Sequence, residues 1–149
     1  AFLSPQPGAR QGNDASCVLR IEAAGQVALL SGDIELAGER QLLQRVPEAL
    51  PANILVAPHH GSLTSSTPAF VKQVHPGYVL YPVGYRNRYR FPRGEVVKRY
   101  ARVGASQYRS DVEGAVRFLL GEPDGPRKLY SYRRDNLRYW HTPIKGPDG

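Results

Sequence analysis

The sequence predicts an α/β (α+β) fold in which polar side chains follow the carboxyl ends of buried strands. Two apolar runs, at residues 27–30 and 54–57, end abruptly, the first in Ser-Gly-Asp and the second in Pro-His-His-Gly. Segments with helical periodicity follow both runs, which is typical of sheets whose strands are joined by helices. A chain of 149 residues can bury one core of this kind, so we expect one domain or a large part of one.

The amino-terminal third predicts a hairpin followed by a helix. Residues 16–22 and 27–30 have the composition of two antiparallel strands joined by an Ala-Ala-Gly turn. Cys17 is expected to be a small hydrophobic residue within the first of these strands. In residues 35–46 the leucines share one face and Glu39 falls outside it, which predicts an amphipathic helix.

The remaining elements alternate between strands and helices. Residues 54–57 lack polar alternation and predict an interior strand that is buried on both faces. Ser66 or Thr67 is expected to cap a helix that begins at Pro68. The other predicted elements are a strand at 78–82, a basic loop at 84–93, a helix at 95–103, paired strands at 106–109 and 115–120, a further strand at 128–132, and a basic, aromatic tail at 133–149.

The positive charge is concentrated in the second part of the chain. The net charge is +7, to which residues 1–83 contribute −1 and residues 84–149 contribute +8. No basic helix with an apolar face is evident, so this asymmetry favours nucleic acid over a membrane surface as the polyanionic partner. No run approaches the roughly 20 apolar residues of a membrane span, so we expect no transmembrane segment in this sequence.

Three side chains at predicted strand ends form a candidate metal site. Asp33 follows the run at 27–30, while His59 and His60 follow the run at 54–57. Open α/β sheets place their chemistry at the carboxyl ends of the strands, so these residues are expected to lie together. A carboxylate with imidazoles is a ligand set for zinc or manganese. The ordinary alternative is a helix-capping Asp and two surface histidines.

The basic loop at 84–93 interleaves cations with aromatic side chains. This composition suits phosphate contacts combined with base stacking on single-stranded nucleic acid. The alternative is a solvated loop in which Tyr89 and Phe91 pack inward. A second cluster at 127–134 is similar, but its alternation fits an edge strand guarded by charge. The candidate contacts in the first loop are Arg86, Asn87, Arg88 and Arg90.

Several motifs occur in an order that permits comparison with a known family. The motifs are Asn13-x-x-Ser16, Leu30-Ser31-Gly32-Asp33-Ile34, Glu39 within a leucine-bearing helix, and Ala57-Pro58-His59-His60-Gly61-Ser62 followed by Thr64-Ser65-Ser66. This set resembles the carboxyl-terminal half of the metallo-β-lactamase-like domain of the ComEC family of DNA-uptake channel proteins. The resemblance implies half of an αβ/βα sandwich at residues 1–125, with one apolar sheet face uncovered, and a last strand and tail at 126–149.

The resemblance also implies a function, namely a metal-dependent phosphodiesterase that handles or degrades the non-transported strand in natural transformation. Family members hold two divalent ions, and Asp33 matches the carboxylate that bridges them, while His59 or His60 matches the final histidine. Between such ions a water ionises near neutral pH and attacks phosphorus. The residues expected near the substrate are Ser62, Thr64, Ser65 and Ser66. The partners would be single-stranded DNA and the rest of a channel protein in the bacterial inner membrane, with this domain on the extracytoplasmic side.

The chain departs from the family pattern in two places. No His-x-His motif occurs in it, and Phe91-Pro92 stands where family members carry His-Pro. We therefore expect this chain to be inactive on its own. The alternative function is a non-catalytic DNA-binding or structural module of the same channel protein. A third hypothesis, an unrelated metallo-hydrolase of small esters, accounts for Asp33 and the histidines but not for the basic second part.

Overall fold

The structure, a computed structural model, describes residues 1–5, 12–136 and 138–139. The strands within these residues are β1 (Phe2–Ser4), β2 (Val18–Ala23), β3 (Gln26–Leu30), β4 (Ile54–Val56), β5 (Tyr78–Tyr81), β6 (Ser106–Arg109), β7 (Val116–Leu119) and β8 (Arg127–Ser131). The α-helices are α1 (Leu36–Arg45), α2 (Pro68–Val74), α3 (Gly94–Arg102), α4 (Ser110–Glu113) and α5 (Tyr132–Asp135). Single 3₁₀ turns occur at Gly12–Ala15, Pro47–Ala49 and Pro58–Gly61.

The strands β1 to β6 form one mixed sheet whose spatial order is the same as their order in the sequence. The pairs β1–β2 and β2–β3 are antiparallel, whereas β3 to β6 run parallel to one another. The helices α1, α2 and α3 join the parallel strands in turn. Because such crossovers are right-handed, a sheet built in chain order carries all of these helices on one face. There α2 contacts both α1 and α3, and the predicted α/β (α+β) class is confirmed.

The core lies between the sheet and these helices. Leu29, Leu55 and Val79 are register neighbours in β3, β4 and β5, and all three are fully buried. Phe70 of α2 and Tyr100 of α3 are fully buried in the same core. This packing aligns the carboxyl ends of the parallel strands, where the loops with the candidate site residues begin.

The other face of the sheet is apolar and only partly covered. The hairpin of β7 and β8 packs on one side of it, where the rings of Phe118 and Tyr78 have centroids 5.0 Å apart. The loop of this hairpin is fastened to the start of β3, because Gly121 N–H donates to Gln26 Oε1 at 2.9 Å. Leu30 is nevertheless 37% exposed. One row of this face consists of Leu30, Val56, Leu80 and Tyr108.

The predicted pairing of residues 106–109 with 115–120 is wrong. β6 pairs with β5, and β7 pairs with β8 instead. After β6 the side chain of Ser110 binds the backbone of Val83, accepting from its N–H at 2.7 Å and donating to its carbonyl at 2.7 Å. This contact turns the chain into α4 and carries β7 away from the edge of the sheet.

Two further sequence predictions are corrected by burial. Glu39 was expected outside the apolar face of its helix, but it is fully buried, while Leu36 on the same helix is 42% exposed. Cys17 is exposed and precedes β2 rather than lying in it. The predicted tail at 133–149 begins within α5, and most of it lies outside the described residues.

Candidate functional site

The loops that follow β3, β4 and β5 surround an open cavity at the carboxyl edge of the sheet. These strands end level with one another because Leu30, Val56 and Leu80 are register neighbours. The cavity has a volume of about 540 Å³. Its lining includes Asp33, His59, His60, Asn87, Tyr89 and Phe91. The structure therefore brings the residues at the two predicted strand ends together with the basic loop.

Asp33 and His60 form a close pair at this cavity. Asp33 Oδ1 lies 3.3 Å from His60 Nε2. The N–H of Asp33 donates to Ser16 Oγ at 3.1 Å, which holds the carboxylate at the end of β3. His60 Nδ1 is buried and has no hydrogen-bond partner among the described residues. The pair thus supplies one oxygen and one nitrogen atom to the cavity.

His59 is bound to a different carboxylate. His59 Nδ1 lies 2.9 Å from Glu35 Oε1 and 3.3 Å from Thr64 Oγ1. The hydroxyl of Thr64 donates to the same Glu35 oxygen at 2.9 Å. Sequence reasoning missed Glu35, although its position two residues after Asp33 places it at the same strand end.

The backbone that carries the two histidines is in an unusual conformation. His59, His60 and Gly61 have φ values of 45°, 56° and 85°. A left-handed conformation costs a residue with a Cβ roughly 1–2 kcal/mol, so it persists only where surrounding contacts hold it. Neighbouring loops hold the segment, since the N–H of His59 donates to the Gly32 carbonyl at 3.0 Å and the N–H of Arg93 donates to the Gly61 carbonyl at 3.0 Å.

The structure separates the four hydroxyl residues that were expected near the substrate into two pairs. Ser62 Oγ and Thr64 Oγ1 are 3.0 Å apart, and Thr64 is exposed whereas Ser62 is buried. Ser65 and Ser66 are fully buried, so the structure does not place them where a substrate could touch them. The hydroxyl of Ser65 donates to the Pro58 carbonyl at 2.8 Å. This bond holds the start of the turn at Pro58–Gly61, which we call the histidine turn.

Glu39 of α1 sets the conformation of the loop at 62–67, which we call the hydroxyl-rich loop. Its carboxylate accepts the backbone N–H groups of Ser66 and Thr67, the second at 2.9 Å. Arg99 donates to the carbonyl of Ser66 at 2.9 Å, and the hydroxyl of Tyr100 donates to Ser66 Oγ at 3.0 Å. Burial raises the pKa of Glu39, although the bonds from Thr67 and Ser66 and the charge of Arg99 lower it. Helical periodicity gave no signal for this role.

The basic loop lies at the cavity with its cations facing solvent. Arg86, Arg88, Arg90 and Arg93 are exposed. Within residues 1–5, 12–136 and 138–139, none of them forms an ion pair with a carboxylate. The four charges are therefore available to a polyanion.

Asn87 and two aromatic rings give the basic loop its shape. Asn87 Oδ1 accepts from the N–H of Phe91 at 2.7 Å, and Asn87 Nδ2 donates to the carbonyl of Phe91 at 2.9 Å. This amide, predicted as a substrate contact, is thus used inside the loop. The Tyr89 and Phe91 rings stack 5.5 Å apart, and Phe91 meets His59 edge to face at 5.8 Å. Phe91 packs inward, whereas Tyr89 is 56% exposed.

The donor atoms at the cavity do not complete a metal site. Asp33 and His60 face each other at 3.3 Å and His59 also lines the cavity, whereas a zinc site needs at least three protein ligands around one ion. In the described part of the chain, no group of three or more His, Cys, Asp or Glu residues is arranged to hold a metal ion. The zinc or manganese site therefore stays a prediction.

No helix in the described ranges combines the length and the apolar character that crossing a bilayer requires.

Comparison with known proteins identifies the family. The chain is 39% identical over 109 residues to Competence protein ComA of Neisseria gonorrhoeae, covering 73% of this chain and 16% of that protein. It is 32% identical over 129 residues to ComE operon protein 3 of Bacillus subtilis, covering 86% of this chain and 16% of that protein. It is 32% identical over 108 residues to Recombination protein 2 of Haemophilus influenzae, covering 72% and 13%. No family model matches the chain.

Two of these relatives are named for competence or for the ComE operon, and the third is named for recombination. The chain belongs to the ComEC family, in which it corresponds to a segment. It spans about one sixth of the length of the first two relatives.

Proposed function

We propose that this chain is a DNA-handling part of a ComEC-family protein that acts in natural transformation. The names of the relatives support a role in competence. The excess of cations after residue 83 supports DNA as the partner. The chain covers about one sixth of those relatives. The role in natural transformation is a role of the whole protein, so it is part of this proposal too.

The exposed arginines at the mouth of the cavity carry the proposal. Arg86, Arg88 and Arg90 are exposed and lack carboxylate partners among the described residues, and Tyr89 between them presents an exposed ring. Cations bind the phosphates of single-stranded DNA, and an aromatic ring stacks on its bases without regard to sequence. We infer that the loop holds a single strand across the cavity.

A salt titration tests this proposal. Each phosphate contact on a single strand contributes a slope of roughly −0.7 to log K against log[salt]. Changing Arg86, Arg88 and Arg90 to Ala should therefore flatten the slope by about two units if all three touch phosphate. The measurement is fluorescence anisotropy of a labelled oligonucleotide with the full-length protein and the variant.

A matched control removes the same charge elsewhere. Arg45, Lys72 and Arg102 lie in the last turns of α1, α2 and α3, which point to the opposite edge of the sheet. Changing these three to Ala should leave the slope nearly unchanged. Equal slopes for the wild type and the Arg86, Arg88 and Arg90 variant would remove the loop from the binding surface.

A second candidate function is a metal-dependent phosphodiesterase that degrades the non-transported strand. The observation in its favour is the Asp33 and His60 pair, with side-chain atoms 3.3 Å apart at the cavity. The test is metal analysis and DNA cleavage by the full-length protein and its Asp33→Asn variant. Stoichiometric zinc or manganese, with cleavage lost in the variant, would support hydrolysis. DNA binding by a metal-free, inactive protein would favour the non-catalytic DNA-binding module over the phosphodiesterase.

The location follows from the same proposal. We infer that the segment is carried by a bacterial inner-membrane protein, lies on the extracytoplasmic side and acts with the rest of that channel protein. A reporter fused next to this segment in the full-length protein gives the test. If a reporter that works only in the cytoplasm is active in this fusion, the result would contradict this placement.

A further inference from the structure

His59 and His60 are adjacent in the sequence, but their rings bind different carboxylates through different nitrogen atoms. His60 meets Asp33 through Nε2 at 3.3 Å. His59 meets Glu35 through Nδ1 at 2.9 Å. The side chain of His59 is also the less exposed of the two, at 22% against 41%. The two histidines are therefore not interchangeable.

Hydrogen-bond accounting decides which nitrogen of His59 carries a proton. A carboxylate oxygen can only accept, so Glu35 Oε1 accepts from Asn13 Nδ2 at 3.3 Å and from the Thr64 hydroxyl at 2.9 Å. Glu35 Oε1 lies 2.9 Å from His59 Nδ1, and a lone pair on Nδ1 would repel this carboxylate oxygen, so Nδ1 carries the proton. The Thr64 hydroxyl also lies 3.0 Å from Ser62 Oγ, so the assignment rests on Glu35 and not on Thr64.

The opposite nitrogen of the ring remains open. His59 is part of the cavity lining, and no hydrogen bond of its Nε2 occurs among the described residues. The edge contact with Phe91, at a centroid distance of 5.8 Å, restricts rotation of the ring. In the neutral imidazole with a proton on Nδ1, Nε2 has a lone pair that can accept a hydrogen bond.

We propose that Glu35 is a positioning residue that holds His59 as the Nδ1–H tautomer, so that Nε2 is the hydrogen-bond acceptor that the cavity offers to a bound N–H or O–H group. Glu35 does this without touching the ligand. The use of this acceptor for a DNA strand rests on the proposed function, whereas the tautomer rests only on the contact between Glu35 and His59.

The tautomer can be read directly from ¹⁵N chemical shifts and long-range proton–nitrogen couplings of the imidazole rings. The spectra are recorded at alkaline pH, where the shifts of the two ring nitrogens themselves show that an imidazole is neutral. In the wild type, His59 should give the pattern of a single Nδ1–H tautomer. The exposed His75, at the end of α2, serves as a reference within the same spectrum.

Variants separate the part of Glu35 from that of Thr64. Glu35→Ala should yield a mixture of tautomers, because Thr64 alone can either donate to or accept from Nδ1. Thr64→Val should retain the Nδ1–H tautomer, because Glu35 is still present. Glu35→Ser removes the carboxylate and shortens the side chain but keeps a residue type favoured before a helix, so it serves if the Ala variant does not fold. The exposed Glu48→Ala is the matched control and should change neither ring.

An oligonucleotide titration distinguishes failure of this inference from failure of the proposed function. Loss of one well-placed hydrogen bond in Glu35→Ala should weaken binding by roughly threefold to tenfold, with an unchanged salt slope because the arginines remain. A wild-type His59 with its proton on Nε2, or a tautomer unaffected by both Glu35 variants, would overturn the role of Glu35. Absence of DNA binding by the wild type would overturn the proposed function and leave the tautomer result standing.

Discussion

At the scale of single residues, Gly61 is the point where the histidine turn touches the basic loop. A Cβ at this position would lie 2.7 Å from Pro92 Cβ and 3.0 Å from the ring of Tyr81, and its φ is +85°. Glycine is therefore required both for space and for conformation. The contact sets how closely His60 and the basic loop approach each other.

We expect Gly61→Ala to lower the free energy of unfolding by roughly 2–4 kcal/mol, through crowding and a left-handed alanine. Urea unfolding followed by circular dichroism measures this loss. Gly94→Ala is the matched control, because nothing lies within 4 Å of its added Cβ, and it should be neutral or stabilising by up to about 1 kcal/mol. Equal stability of the two variants would show that the turn can move away from Pro92.

The sequence predicts those residues of the site that directly follow an apolar strand. Asp33, His59 and His60 follow apolar runs, and the parallel sheet brings the ends of those runs together. Glu35 follows the same strand end, two residues after Asp33, but its role depends on Thr64, which is 29 residues away in sequence. Contacts of this kind depend on how two loops fold over one sheet edge, which residue spacing does not encode.

At the scale of the elements, α1 shows how a buried carboxylate can reverse an apparent helix face. Periodicity groups the leucines, yet Glu39 is turned inward and Leu36 outward. The reason is that the loop after Gly61 needs an acceptor for two backbone N–H groups, which Glu39 supplies. The need arises in another part of the chain, so the helix alone cannot reveal it.

Glu39 predicts a pH dependence of stability. Because burial raises its pKa above the ordinary 4.5, the native state binds more protons than the unfolded chain between 4.5 and the raised value. The stability from this group is fully present below that window and is lost as the pH rises through the raised pKa.

The Glu39→Gln variant removes this titration. The difference in unfolding free energy, wild type minus variant, should therefore be largest at the acid end and fall as the pH rises. Urea unfolding at a series of pH values provides the measurement, with the exposed Glu48→Gln as control. A difference that grew with pH would mean that the N–H groups of Ser66 and Thr67 outweigh burial.

At the scale of the whole molecule, the class of fold was predictable and the position of the last hairpin was not. Apolar runs separated by helical segments define a sheet in chain order. The pairing of β7 with β8 instead depends on Ser110, whose two bonds to Val83 turn the chain off the sheet. The strand patterns alone do not distinguish this pairing from the predicted one.

The partly covered sheet face predicts self-association of the isolated chain. Ile21 and Leu30, which are 41% and 37% exposed, lie on this face, and apolar patches of this kind promote association once they exceed a few hundred Å². Sedimentation velocity should show larger species as concentration rises, together with dye binding. The double variant Ile21→Lys and Leu30→Lys should weaken both effects.

Leu63 provides the control for that experiment. It is 44% exposed but lies in the hydroxyl-rich loop rather than on the sheet face, so Leu63→Lys should leave self-association unchanged. A monodisperse wild type without dye binding at high concentration would show that the hairpin covers enough of the face.

The order of the strands also has a consequence for folding during synthesis. The six strands stand side by side in the order in which a ribosome makes them. The partner of each new strand has therefore already been made when that strand emerges, so the sheet can extend from β1 towards β6 during synthesis. The hairpin of β7 and β8, whose loop binds Gln26 at the start of β3, is made after these six strands and packs against their sheet.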